Sequence, residues 1–151
     1  MTYLSPAKIN LFLHINSKRD DGYHNLQTIF QLLDFYDEIN FSVREDGEIN
    51  RTLGNEDIPL ANDLMIKSAK KLQKLSGVNL GVDIRIIKKI PSGGGLGGGS
   101  SNAATTLMAL NQLWGLELTK QQLIAIGKGI GADVPVFIEG QSSWAEGIGE
   151  I

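Results

Sequence analysis

Apolar and polar residues alternate along the first part of the chain, a pattern typical of half-buried β-strands. Between residues 7 and 16 the two faces of the predicted strand carry different residues: Ile9, Leu11, Leu13 and Ile15 on one, and Lys8, Asn10, Phe12, His14 and Asn16 on the other. Similar runs at 26–32, 39–43 and 82–86 predict three further strands. Asp-Gly pairs at 21–22 and 46–47 predict chain reversals.

Helical spacing replaces alternation in later parts of the chain. One helix is predicted from Asn62 or Asp63 to about Ser76, with Gly77 as its stop. A second carries an apolar stripe, with Ser100, Ser101 or Asn102 as its cap; the stripe consists of Ala103, Leu107, Leu110 and Trp114. The segment 119–122 has the form of a capping box and predicts the start of a third.

The composition narrows the class of protein. The 151 residues fit one domain, and a formal charge of −3 gives no basic footprint for nucleic acid. Without cysteine the chain has neither disulfides nor a cysteine metal site, and its two histidines leave little for a histidine site. No apolar run is long enough for a membrane helix, and the N-terminus lacks the pattern of a signal peptide. We therefore expect a cytoplasmic protein.

A dense glycine run provides the strongest chemical signal. Residues 90–104 read IPSGGGLGGGSSNAA, with a predicted strand before them and a capped helix after them. Backbone N–H groups at such a helix start, together with the helix dipole, favour phosphate binding over a simple tight turn. No Gly-Lys-Ser/Thr follows, so the run is not a Walker A loop. It contains G-x-G-x-x-G, but the only acid near the required spacing is Glu117, which disfavours a dinucleotide oxidoreductase.

Four motifs together resemble the GHMP kinases, the superfamily of galactose, homoserine, mevalonate and phosphomevalonate kinases. Residues 91–103, PSGGGLGGGSSNA, resemble its second motif, and residues 5–11, SPAKINL, its first. Residues 19–24, RDDGYH, and 131–137, GADVPVF, are similar to the branch that phosphorylates a cytidine diphosphate derivative of methylerythritol in the non-mevalonate isoprenoid pathway. The resemblance covers essentially the whole chain. It implies an α+β fold, with a mixed or antiparallel sheet packed with helices, and an ATP-binding N-terminal domain over residues 1–151.

The resemblance also implies roles for individual residues. Asp133 is expected to take the proton of the substrate hydroxyl, with Lys8 beside it countering the developing charge. The substrate-binding residues would be Asp133 with Asn10, Tyr23 and His24, the last two at the cytosine. ATP would contact Asn62, Leu64, Lys88, Pro91, Ser92, Gly93, Gly94, Gly95, Leu96, Gly97, Gly98, Gly99, Ser100 and Ser101. Mg²⁺ is expected with ATP; Ser100 or Ser101 can approach it, but its ligands stay unassigned because no carboxylate ligand is evident.

The chain ends where members of the family continue into a second domain. We therefore expect an N-terminal part with weak or absent kinase activity, and self-association through the face that the second domain would cover. Two alternatives stay open at this point. The chain can belong to another GHMP small-molecule kinase, or it can be a nucleotide-binding fragment without catalysis.

Overall fold

The computed structural model describes residues 1–18, 24–92 and 95–149. In chain order the elements are β1 (Thr2–Lys18), β2 (His24–Arg44), β3 (Ile49–Leu53), a short 3₁₀ helix (Leu60–Asn62), α1 (Leu64–Ser76), β4 (Gly81–Ile87), α2 (Gly98–Leu113), α3 (Lys120–Lys128) and α4 (Val134–Gly149). Strands dominate the first third and helices the last, as the change of periodicity predicts.

The described strands form one mixed sheet in the order β1-β2-β4-β3. β1 and β4 both run antiparallel to β2, whereas β3 runs parallel to β4. The parallel pair needs a crossover, and α1 supplies it between β3 and β4. The α+β class expected from the resemblance is confirmed.

One strand replaces two predicted ones. The runs at 26–32 and 39–43 both belong to β2, which is 21 residues long. Its pairing with β1 is interrupted rather than ended: between the pairs Pro6–Tyr36 and Lys8–Leu32, one residue of β1 faces three of β2. This irregularity breaks the alternation in β2, so the sequence pattern looks like two strands with a gap.

Of the three predicted helix caps, two are confirmed and one is wrong. Asp63 caps α1 by accepting a bond from the N–H of Met65, and Gly77 ends that helix with a left-handed backbone. The capping box at α3 is confirmed, with both of its reciprocal bonds present. The predicted side-chain cap of α2 is wrong: the residue at the cap position is Gly97, three residues before Ser100, and no side chain caps the helix. Two of the predicted capping side chains, Ser101 and Asn102, are turned inward to buried partners instead.

The hydrophobic core lies between one face of the sheet and the helices. Its strand and helix members include Ile39, Phe41, Val82, Ile84, Ile86, Met65, Ala69, Leu72, Ala103, Leu107, Leu110, Phe137 and Ile138. Along β1 the polar residue Lys8 is buried, at 4% exposure, whereas the apolar residue Leu11 is 39% exposed. The cause is the glycine segment, which packs over Lys8 and removes it from water. No described helix is both long and apolar enough to cross a bilayer.

Candidate active site

The glycine segment is attached directly to the first strand. The backbone N–H of Lys8 donates to the carbonyl oxygen of Leu96 at 2.9 Å. Gly97, the next residue, has φ +70°, and a Cβ there would lie 2.8 Å from the Phe137 ring and 3.0 Å from Cε of Lys8. Only glycine fits both the conformation and the space at this position. The segment therefore forms a thin backbone wall beside Lys8.

A cleft of about 600 Å³ lies along the glycine segment. Of the described residues predicted to contact ATP, all but one line it: Asn62, Leu64, Lys88, Pro91, Ser92, Gly95, Leu96, Gly97, Gly98, Gly99 and Ser100. The exception is Ser101, which is fully buried with its Oγ atom 2.8 Å from Oγ of Ser5. Gly93 and Gly94 lie outside the described residues.

Part of the cleft wall consists of residues to which the resemblance assigns no contact with ATP. The additional lining residues are Asn55, Asp57, Ile58, Asp63, Met65, Lys89, Ile90 and Asn102. One end of this wall is held by Arg51, whose Nη1 donates to Oδ2 of Asp63 and to the carbonyl of Ile58, both at 2.9 Å. Of these lining residues, the sequence marks Asp63 and Asn102 as possible helix caps, and Ile90 and Asn102 lie within the segment 90–104.

Positive charge gathers where the cleft meets α2. The first residue of this helix, Gly98, lines the cleft, and the unpaired N–H groups of a first turn carry partial positive charge. The Nζ atom of Lys88 lies 3.2 Å from the position that a Cβ on Gly98 would take. An ammonium group and a helix N-terminus side by side favour the phosphate groups of a nucleotide.

Behind that ammonium group lies Asp37, a carboxylate with no exposed surface. Its oxygens accept bonds from Nζ of Lys88, from the backbone N–H groups of Lys89 and Ile90, and from Nδ2 of Asn102. Burial by itself would raise the pKa of Asp37. The hydrogen bonds, led by that from Ile90, outweigh burial and hold the pKa below its ordinary value. Asp37 is therefore a buried anion that stays ionised.

The predicted catalytic residues are Asp133 and Lys8, which lies in β1 beside Gly97. Nζ of Lys8 is 3.8 Å from Oδ2 of Asp133, and it donates to Oδ1 of Asn10 at 3.1 Å. It also lies 5.3 Å from the centre of the Phe30 ring, within the range of a cation–π contact. Asp133 immediately precedes α4, and its side chain is 43% exposed. The fold thus brings Asp133 next to Lys8 and Asn10 of β1, although Asp133 is far from both in sequence.

The remaining predicted positions cannot be located in the same way. Tyr23 lies outside the described residues, and His24 is described only as the first residue of β2. Among the residues that the structure describes, no three histidine, aspartate or glutamate side chains come together as a metal site. Of the two serines predicted to approach Mg²⁺, only Ser100 lines the cleft.

Comparison with known proteins gives a family model and several curated relatives that match this chain. The family model described as "GHMP kinases N terminal domain" matches residues 63–141. The 4-diphosphocytidyl-2-C-methyl-D-erythritol kinase of Ruthia magnifica subsp. Calyptogena magnifica is 64% identical over 99% of this chain and 53% of that protein. The chain thus spans about half the length of the curated relatives it matches.

Solved structures give the same result at the level of the fold. A crystal structure of 4-(cytidine 5'-diphospho)-2C-methyl-D-erythritol kinase superposes with a TM-score of 0.74 and 36% identity, over 93% of this chain and 49% of that one. The mevalonate kinase of Methanococcus jannaschii, at 20% identity and a TM-score of 0.64 over 86% of this chain and 45% of that one, shares the fold. The glycine segment lies within the matched residues 63–141, and the chain belongs to the GHMP kinase family.

Proposed function

We propose that the protein transfers the γ-phosphoryl group of ATP to the 2-hydroxyl of 4-diphosphocytidyl-2-C-methyl-D-erythritol, a step of the non-mevalonate isoprenoid pathway. The observation that carries the proposal is the placement of the Lys8–Asp133 pair next to a glycine-walled cleft. The choice of acceptor is supported by the names of the relatives and of the solved structure with 36% identity.

The cleft supplies the nucleotide half of the reaction. Glycine backbone N–H groups and the start of α2 would hold the phosphates, and Lys88 would add a full positive charge. Because Gly97 lines this cleft and has no side chain, its backbone lies directly against Cε of Lys8. A terminal phosphoryl group bound at Gly97 would then be close to the catalytic pair.

The pair supplies the acceptor half. Asp133 would accept the proton of the attacking hydroxyl, and its exposure leaves room for the substrate to approach. Lys8, held by Asn10 and the Phe30 ring, would place a fixed positive charge against the charge that develops during transfer. Positioning and charge stabilisation are the main requirements of phosphoryl transfer.

Other parts of the proposal rest on the resemblance. Tyr23 and His24 would bind the cytosine. Mg²⁺ would enter bound to the ATP phosphates, where it supplies charge neutralisation, and Ser100 is the cleft hydroxyl suited to approach it. We place the enzyme in the cytoplasm. Self-association stays a prediction, supported by exposed apolar side chains at Leu11, Ile29 and Phe30.

The test is phosphoryl transfer by the native gene product, whose intact mass is measured in the same preparation. With labelled ATP and Mg²⁺, we expect label to move to the diphosphocytidyl acceptor and not to mevalonate or homoserine. Transfer to one of those alcohols would assign the protein to another branch of the family. ATP binding without transfer to any acceptor would leave a nucleotide-binding module and refute the kinase proposal.

A further inference from the structure

We infer that Asp37 is a positioning residue for the nucleotide: it fixes the ammonium group of Lys88 at the N-terminus of α2, where that group meets the phosphates. The inference rests on the proposed function, because it concerns how the same cleft would bind ATP. Neither the motifs nor the resemblance marked Asp37. It lies on β2 and is separated by more than 50 residues from the glycine segment.

The two carboxylate oxygens of Asp37 have separate partners. Oδ1 accepts the backbone N–H groups of Lys89 at 2.6 Å and Ile90 at 2.8 Å. Oδ2 accepts Nζ of Lys88 at 2.6 Å and Nδ2 of Asn102 at 3.1 Å. One oxygen therefore holds the chain where it enters the glycine segment, and the other holds a side-chain cation and an amide from α2.

Asn102 connects this carboxylate to the first strand. Its Oδ1 accepts a second bond from Nζ of Lys88 at 3.2 Å, while its Nδ2 also donates to Oγ of Ser5 at 2.9 Å. Ser5 in turn contacts Ser101, the residue just before Asn102 in α2. The position of the Lys88 ammonium group is thus set by groups on β2, α2 and, through Ser5, β1.

The location of this cation is unfavourable unless it is compensated. An ammonium group beside a helix N-terminus is repelled by the partial positive charge there, and lysine is a long side chain that could otherwise extend into solvent. Asp37 supplies the opposing charge from the side away from the cleft. Lys88 itself remains about a quarter exposed, with a side-chain accessibility of 27%. Its two bonds to Asp37 and Asn102 leave a third N–H for a phosphate oxygen.

A purely structural role for Asp37 makes a different prediction. Under that reading the carboxylate only joins β2 to the chain after β4, and its loss weakens the fold without regard to phosphate. The substitution Asp37→Asn separates the two roles, because asparagine keeps one acceptor oxygen for Lys89 and Ile90. Its amide NH₂ replaces the other oxygen and cannot accept from Lys88.

The experiment is calorimetric titration of the native gene product with a non-hydrolysable ATP analogue and with adenosine. We expect Asp37→Asn to weaken binding of the analogue by about tenfold, the scale of a lost charge-assisted bond. Adenosine, which has no phosphate, should bind with nearly unchanged affinity. The matched control is Asp83→Asn, which removes a carboxylate that pairs with Arg44 and Asn50 and does not line the cleft; it should change neither affinity.

Lys88→Met tests the same inference from the partner, and it remains informative if Asp37→Asn does not fold. We expect Lys88→Met to show the same selective loss for the ATP analogue, and the double variant to lose little more than either single variant. Equal losses for both ligands, or no loss in either variant, would overturn the inference and leave the proposed function standing. If the unchanged protein fails to bind the ATP analogue, both are overturned.

Discussion

Two carboxylates near the glycine segment occupy opposite environments. Asp37 has no exposed surface and accepts four hydrogen bonds. Asp133 is 43% exposed, and its closest described cation, Nζ of Lys8, is 3.8 Å away. The first carboxylate is fully committed to neighbouring protein groups, whereas the second still has room for a ligand.

This difference indicates how a site can be both rigid and reactive. A carboxylate that must receive a proton from a substrate needs free acceptor capacity and access. One that holds a cation and two backbone groups in place needs the reverse, because buried charge is stable only when it is fully paired. Substitutions at the two positions should therefore affect different measurements.

The largest expected effect is on turnover. In the native gene product, Asp133→Asn should lower kcat by about 10²–10⁴-fold, the usual contribution of a general base. Lys8→Met should also lower kcat strongly, because the cation beside the acceptor is lost. Steady-state phosphoryl transfer gives these values, with binding of the ATP analogue as the control for an intact cleft. Near-normal kcat in both variants would contradict the catalytic roles proposed for Asp133 and Lys8.

A smaller effect is expected at the wall beside the catalytic pair. Gly97 and Gly77 share φ +70°, but a Cβ at Gly77 would have nothing within 4 Å, whereas at Gly97 it would meet Phe137 and Lys8. We expect Gly77→Ala to lower the free energy of unfolding by about 1–3 kcal/mol through backbone strain alone. Gly97→Ala should cost about 1–3 kcal/mol more from crowding.

Denaturant unfolding of both glycine variants measures this difference. Gly77 is the matched control, since it has the same backbone conformation at the end of α1 and lies far along the chain from the glycine segment. Equal losses of unfolding free energy would mean that the structure around Gly97 gives way without cost, and the wall would not be rigid.

The smallest expected effect is on the free energy of unfolding at acidic pH. The pKa of Asp37 is lowered from an ordinary value of 3.8, so its contribution to stability is present above pH 3.8 and is lost as the pH falls through the lower folded value. The difference in unfolding free energy between the unchanged protein and Asp37→Asn should therefore narrow below pH 3.8. In contrast, Asp46→Asn should leave stability nearly unchanged, because Asp46 is exposed although Arg44 lowers its pKa to about 2. A difference in unfolding free energy that is constant with pH would show that folding does not lower the pKa of Asp37.

Local signals in the sequence predicted much of the fold. Caps and stops act within a few residues of where they stand, so Asp63, Gly77 and Thr119 mark helix ends correctly. Alternation likewise located β4 within a residue at each end. The same patterns failed where distant chain segments decide the outcome, as in β2, where an irregularity in pairing with β1 interrupts the alternation without ending the strand.

The candidate site shows the same difference between local sequence signals and long-range contacts. Glycines 95, 97, 98 and 99 form a run in sequence, and the structure brings them to one cleft. The burial of Lys8 depends on its contact with residues near 96, and the role of Asn102 depends on partners at Ser5 and Asp37. Such long-range contacts leave no periodic trace, which is why the alternation in β1 does not predict the burial of Lys8 and no sequence pattern marks Asp37.

The attachment of Leu96 to Lys8 has a further consequence for experiments. The hydrogen bond to Leu96 uses the main-chain N–H of Lys8, whereas the group proposed to act in phosphoryl transfer is the side chain of that residue. Replacement of the side chain leaves the amide in place, so the nucleotide-holding segment should keep its anchorage while the chemistry is lost. We therefore expect substitution of Lys8 to lower phosphoryl transfer while binding of the nucleotide phosphates is retained.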